Sequence, residues 1–166
     1  MMEERKKITR KEAQARPRKS ITSNKKALFD FEVIQKIEVG IILLGSEVKS
    51  LREGKCNLSD AYANFTQKDN DELFIRNMHI PEYEQANVMN HDPKRMRKLL
   101  LSKREAIKLR SAVNEKGLVI IPLSIYFSGH LVKLELALAK PKKKYDKRES
   151  VKEREVKRDL NRRFKV

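Results

Sequence analysis

The chain has 166 residues, and its 39 Lys and Arg against 23 Asp and Glu give a formal charge of +16 at neutral pH. Its one cysteine, Cys56, excludes an internal disulfide and a thiolate zinc or iron–sulfur centre. Its longest apolar runs, Ile41–Leu44 and Leu118–Leu123, fall far short of the roughly 20 residues a membrane helix needs, and no secretory pattern opens the sequence, so a reduced cytoplasmic setting is expected.

The positive charge sits at the two ends. Residues 1–26 carry 10 basic and 3 acidic side chains, residues 140–166 carry 13 and 5, and residues 27–139 carry 16 and 15. The expected organisation is a near-neutral body, 27–139, between two flexible cationic arms, 1–26 and 140–166.

In chain order, Leu28, Phe31, Val33, Ile34, Ile37 and Val39, followed by Ile41–Leu44, read as paired strands whose Gly40 and Gly45 permit curvature. Ser46 reads as the cap of a short helix stopped at Gly54, without a capping box because Lys49 holds the third position. Residues 61–66 and 73–80 read as a hairpin turned at Lys68-Asp69-Asn70-Asp71. Asp92-Pro93 reads as the start of a helix through Met96, Leu99, Leu100 and Leu101, with Ser102 dividing it from a second, amphipathic helix that ends at Gly117. Residues 118–127 read as a strand region broken at Pro122. After a turn at Ser128-Gly129-His130, Val132, Leu134, Leu136 and Leu138 alternate with Lys133, Glu135 and Ala137 as in a half-buried strand. Beyond Lys140 the tail spaces Val156, Leu160 and Phe164 by four among cations, a pattern for a helix that forms on a partner.

Many short strands with two or three helices predict a mainly β fold: a small closed barrel of the oligonucleotide-binding type with associated helices and basic flexible tails. Its charge favours a polyanion, since cationic arms lower the free energy of approach to phosphate and release condensed counterions. With no zinc-finger, zipper or clear helix-turn-helix pattern, structured RNA fits at least as well as duplex DNA.

Four strings in order, Gly45-Ser46-Glu47-Val48-Lys49-Ser50-Leu51-Arg52, Asn90-His91-Asp92-Pro93, Arg97-Lys98-Leu99-Leu100-Leu101 and Tyr145-Asp146-Lys147-Arg148-Glu149, resemble the SmpB family of SsrA-binding proteins, which partner transfer-messenger RNA in bacterial ribosome rescue. The resemblance runs from about Asn24 to the end. It implies an oligonucleotide-binding-type barrel, a monomer without cofactor, metal or catalysis, that binds the transfer-RNA-like domain and delivers the RNA to stalled ribosomes. It implies that Glu38, Leu100 and Ser102 meet that RNA; Lys26, Lys49 and Arg52 are phosphate candidates near the same motifs. In the tail it implies that Tyr145, Asp146, Lys147 and Arg148 meet the ribosomal decoding centre and that the segment enters the vacant message channel. Three departures stand out: Phe29 and Phe31 replace a common histidine and tyrosine, Ser102 replaces a larger polar residue, and Pro141 replaces a glycine.

Two other readings remain open. A hydrolase would have to gather His79, His91 or His130 around Asp30 or Asp92, spacings that carry little. A ribosomal structural protein would equally combine a small core with basic tails.

Overall fold

A computed structural model of the chain describes residues 17–67, 70–86 and 90–142. In chain order these form β1 (Arg18–Ser23), α1 (Lys25–Asp30), β2 (Phe31–Ile41), α2 (Gly45–Arg52), β3 (Tyr62–Gln67), β4 (Asn70–Arg76), a 3-10 turn (Glu84–Ala86), β5 (Arg97–Leu100), α3 (Lys103–Lys116), β6 (Val119–Ser128) and β7 (Leu131–Pro141). Every pairing is antiparallel, and the order β1-β6-β3-β4-β5-β2-β7 closes on itself because β7 also pairs with β6. The result is the expected barrel, with β1 added along β6. Closure leaves few strand edges open.

The alternation along β7 turns Leu134, Leu136 and Leu138 into the main core. Ala137 and Ala139 are buried as well, because the opposite face lies in a second, smaller core with Ala27 of α1, Ile121 and Leu123. Asn24 holds that corner. Its Oδ1 accepts from Ala27 N at 2.9 Å, capping α1, while its Nδ2 donates to Leu58 O at 2.8 Å and Pro122 O at 3.2 Å. The Asn24 bond satisfies the Pro122 carbonyl, and a register shift against β7 after Pro122 accommodates the missing N–H, so β6 runs through the proline instead of breaking there.

Four further segments differ from the sequence reading. The sheet takes in Arg18–Ser23, within the first basic arm; mostly exposed polar residues form this edge strand, so hydrophobic periodicity has nothing to display there. Residues 25–30 are a helix, and Phe31–Ile41 is one long strand instead of two. The α2 helix starts at Gly45, with Leu44 as N-cap, so Glu47 is the third residue and accepts from Leu44 N at 2.7 Å; Ser46 is not the cap. Finally, Arg97–Leu100 is a strand, not a helix. Its inward residues are Arg97 and Leu99 and its outward ones are Lys98 and Leu100. The buried arginine disguises the two-residue period.

That arginine belongs to a buried polar network. Glu47 and Arg97 are both fully buried, and Arg97 Nε donates to Glu47 Oε1 at 2.7 Å. Arg95 reaches the same carboxylate through Nε at 2.8 Å and Nη2 at 2.5 Å. The remaining Arg97 donors go to the carbonyls of Met78, Arg95 and Pro93. Beside them the His91 ring lies 2.9 Å from Ser46 Oγ through Nδ1 and 3.1 Å from Ile80 O through Nε2. Because a carbonyl can only accept, Nε2 carries a hydrogen, and a neutral ring accepts from Ser46 at Nδ1. The strings around Glu47, His91 and Arg97 thus meet in one staple that pins α2 against β5.

Candidate nucleic-acid interface

A groove of about 830 Å³ opens between the outer side of β2 and β7 and the start of α3, and Glu38, Leu100 and Ser102 all line it. Each arrives there for a local reason. Glu38 lies on β2 opposite Glu135 of β7. Leu100 ends β5 opposite Gly40 and is 51% exposed, whereas neighbouring Leu99 is buried. A side chain on Gly40 would place its Cβ 3.2 Å from the Leu100 Cβ, so the bare glycine gives Leu100 its seat. Ser102 caps α3: its Oγ accepts from Glu105 N at 3.3 Å and donates to Glu105 Oε2 at 2.7 Å, and Glu105 Oε2 also takes Ser102 N at 3.1 Å. This is the reciprocal capping box.

The chemistry of the groove centres on Glu38. Its carboxylate accepts from Arg18 Nη2 at 3.2 Å and also from the Tyr126 hydroxyl and the Lys133 ammonium. Burial disfavours the ionised form, but the hydrogen bonds from Lys133 and Tyr126, with the positive charge of Lys133 and Arg18, outweigh it and hold the carboxyl below its ordinary range. Burial and the same hydrogen bond raise the Tyr126 phenol, which therefore stays a donor at neutral pH. The Arg18 guanidinium lies over the Tyr126 ring, 5.3 Å from its centroid. Glu38 is thus an organiser of cations. The groups it arranges, Arg18 and Lys133, can donate to phosphate, and a guanidinium already stacked on one face offers its other face to a base.

Sequence reasoning missed Arg18, Tyr126 and Lys133. Each sits in a strand where its residue type reads as ordinary surface or core, and the three meet only when β1 and β7 flank Tyr126 of β6. The other phosphate candidates lie outside the groove lining. Lys26, on α1, pairs with Asp60 at 3.0 Å; Lys49, on α2, places its ammonium 5.2 Å from the centroid of the Tyr83 ring; and Arg52 is exposed at the end of α2. Tyr145, Asp146, Lys147 and Arg148 lie outside the described residues, as does the tail stripe Val156, Leu160 and Phe164. What the structure shows of the tail is its root: Pro141 pairs with Phe31, and Lys142 N donates to Asp30 O at 3.0 Å.

The histidines do not assemble a reaction centre. His91 is consumed by the staple, His130 is exposed in the β6–β7 turn, and His79 bridges Asn57 through its backbone. Among the described residues, no three His, Cys, Asp or Glu side chains gather as a metal site, and burial pushes the Cys56 thiol up to about 12. No described helix is long and apolar enough to cross a membrane.

A barrel that arranges an arginine, a lysine and a tyrosine along an open groove defines a class: a small RNA-binding barrel protein. The chain belongs to the SmpB family, whose model matches residues 21–166. It is 51% identical over 147 residues to the SsrA-binding protein of Persephonella marina, covering 89% of this chain and 95% of that one. It is 49% identical over 148 residues to that of Agrobacterium fabrum, covering 89% and 91%. A solved chain from a structure described as "tmRNA-SmpB: a journey to the center of the bacterial ribosome" superposes with a TM-score of 0.62 at 40% identity, covering 78% of this chain and 93% of that one.

Proposed function

We propose that this protein binds the transfer-RNA-like domain of transfer-messenger RNA and delivers it to stalled ribosomes in trans-translation. The observation that carries the reading is the groove, where Glu38, Leu100 and Ser102 converge with Arg18, Tyr126 and Lys133. The names of its relatives and the ribosomal setting of the solved neighbour support it.

In this reading the body grips RNA, with Leu100 against a base or ribose and Ser102 at the groove edge, while Arg18 and Lys133 neutralise phosphate. Lys26, Lys49 and Arg52 add longer-range attraction. The tail leaves the barrel after Pro141, beside α1, and occupies the empty message channel, with Tyr145 stacking in the decoding centre, Lys147 and Arg148 on ribosomal phosphate and Asp146 orienting them. An open channel thereby becomes the signal of a stalled ribosome. The protein works as a monomer in the cytoplasm and catalyses nothing; the RNA supplies the tagging frame.

Isolating the full chain from cells at moderate salt and sequencing the RNA that accompanies it tests the first half, with transfer-messenger RNA as the expected species. Deleting residues 140–166 should leave that RNA bound and abolish tagging. Retained tagging would reject the division of labour, and constant occupancy of translating ribosomes without such an RNA would favour a ribosomal structural protein.

A further inference from the structure

Beyond the groove, we infer that the outer face of β3, β4, β5 and the end of β2 is a second RNA surface, which takes unpaired ribonucleotides stacked on Tyr62 and Phe74. The strand register defines this face. Leu73 and Ile75 of β4 pair with Leu99 and Arg97 of β5, and all four are 2% exposed or less, so they point inward. The residues between them point outward. Tyr62 lies opposite Arg76, Asn64 opposite Phe74, and Phe74 opposite Lys98, whose carbonyl takes Ile42 N at 3.0 Å. Met96 and Leu44, just beyond the paired residues, are both about half exposed.

Two features point to RNA. Aromatic rings alternate with cations, Tyr62 beside Arg76 and Phe74 beside Lys98, the arrangement that stacks successive bases while tracking their phosphates. Lys98 stands in the middle of the face with Glu72 as its ion partner, where a protein-docking surface would be depleted of lysine. The face also continues the groove, since Leu100 lines the groove and follows Lys98 along the outer side of β5. The second site therefore extends the path of an RNA already held.

The test is a titration of the full-length protein with a fluorescent ten-nucleotide oligouridylate. Tyr62→Ser and Phe74→Leu should each weaken oligouridylate binding about fivefold or more, with unchanged affinity for the folded transfer-RNA-like domain. If either variant fails to fold, amide shifts in the unsubstituted protein decide: oligouridylate should move Tyr62, Phe74, Arg76 and Lys98. Undiminished oligouridylate binding by both folded variants, shifts confined to the Glu38 groove, or protection of the face by a ribosomal protein but not by RNA would overturn the inference. Loss of folded-RNA binding in the unsubstituted protein would instead refute the groove's function.

Discussion

Replacing Glu38 by alanine separates two opposite expectations. If the groove attracts RNA by charge alone, deleting a carboxylate must tighten binding: one unit charge about 7 Å from a phosphate is worth roughly 0.6 kcal/mol in water, a gain of about threefold. The structure predicts the reverse. Arg18 and Lys133 are held by Glu38 before RNA arrives, and without it their ordering falls on the binding step at about 0.5–1.5 kcal/mol per side chain. Set against the electrostatic gain, the net effect is binding roughly 2- to 50-fold weaker. Fluorescence anisotropy with the transfer-RNA-like domain, run across a salt series, reads both contributions. The difference from the unsubstituted protein should widen as salt removes the electrostatic gain. Tighter binding at every salt concentration would refute the organising role of Glu38.

Other perturbations report on the supports of the site. Glu47→Gln leaves the fully buried Arg97 without its counter-charge and should cost about 3–5 kcal/mol in urea unfolding; a loss under about 1 kcal/mol would show the pair to be dispensable. Burial opposes the ionised Glu47 carboxyl, yet Arg95, the Leu44 N–H and Arg97 hold it below its ordinary value of 4.5. The native state therefore binds fewer protons than the unfolded chain, so this contribution is full above the unfolded value and fades as pH falls through the native one. Acid titration of the midpoint should show that loss in the unsubstituted protein and lack it in Glu47→Gln. Ser102→Ala should cost about 1 kcal/mol through the cap of α3, whereas Ser102→Asp keeps a capping oxygen and should lower RNA affinity by placing a carboxylate at the groove edge. Equal RNA affinity for Ser102→Asp would remove this residue from the interface.

The sequence revealed the fold where burial has a simple period. Leu134, Leu136 and Leu138 declare β7, and Gly117 and Gly129, both at positive φ, mark the end of α3 and the β6–β7 turn. It misled where a charged side chain faces inward. Arg97 breaks the apolar alternation of β5, and the Met96 to Leu100 interval then imitates a helical repeat. Glu47 likewise looks like a surface residue until its two arginines are in place. The candidate site was legible only in part. Family resemblance supplied Glu38, Leu100 and Ser102, which the fold brings into one groove, but a carboxylate beside RNA made little chemical sense until Arg18, Tyr126 and Lys133 surrounded it. Arg18 lies about a hundred residues of chain before Tyr126 and Lys133, which face each other across the β6–β7 hairpin, and Glu38 comes from β2 between them in sequence. No local pattern announces a cluster assembled by barrel closure.

The most direct test of the central claim compares the affinity of the full-length protein for the isolated transfer-RNA-like domain with its affinity for a plain RNA hairpin of equal charge, at physiological salt. The account predicts a preference of at least about tenfold for the transfer-RNA-like domain, well within the range of specific recognition, and its collapse in an Arg18→Ala, Lys133→Ala double variant that keeps its fold. Equal affinity for the two RNAs, or a preference untouched by the double substitution, would contradict it.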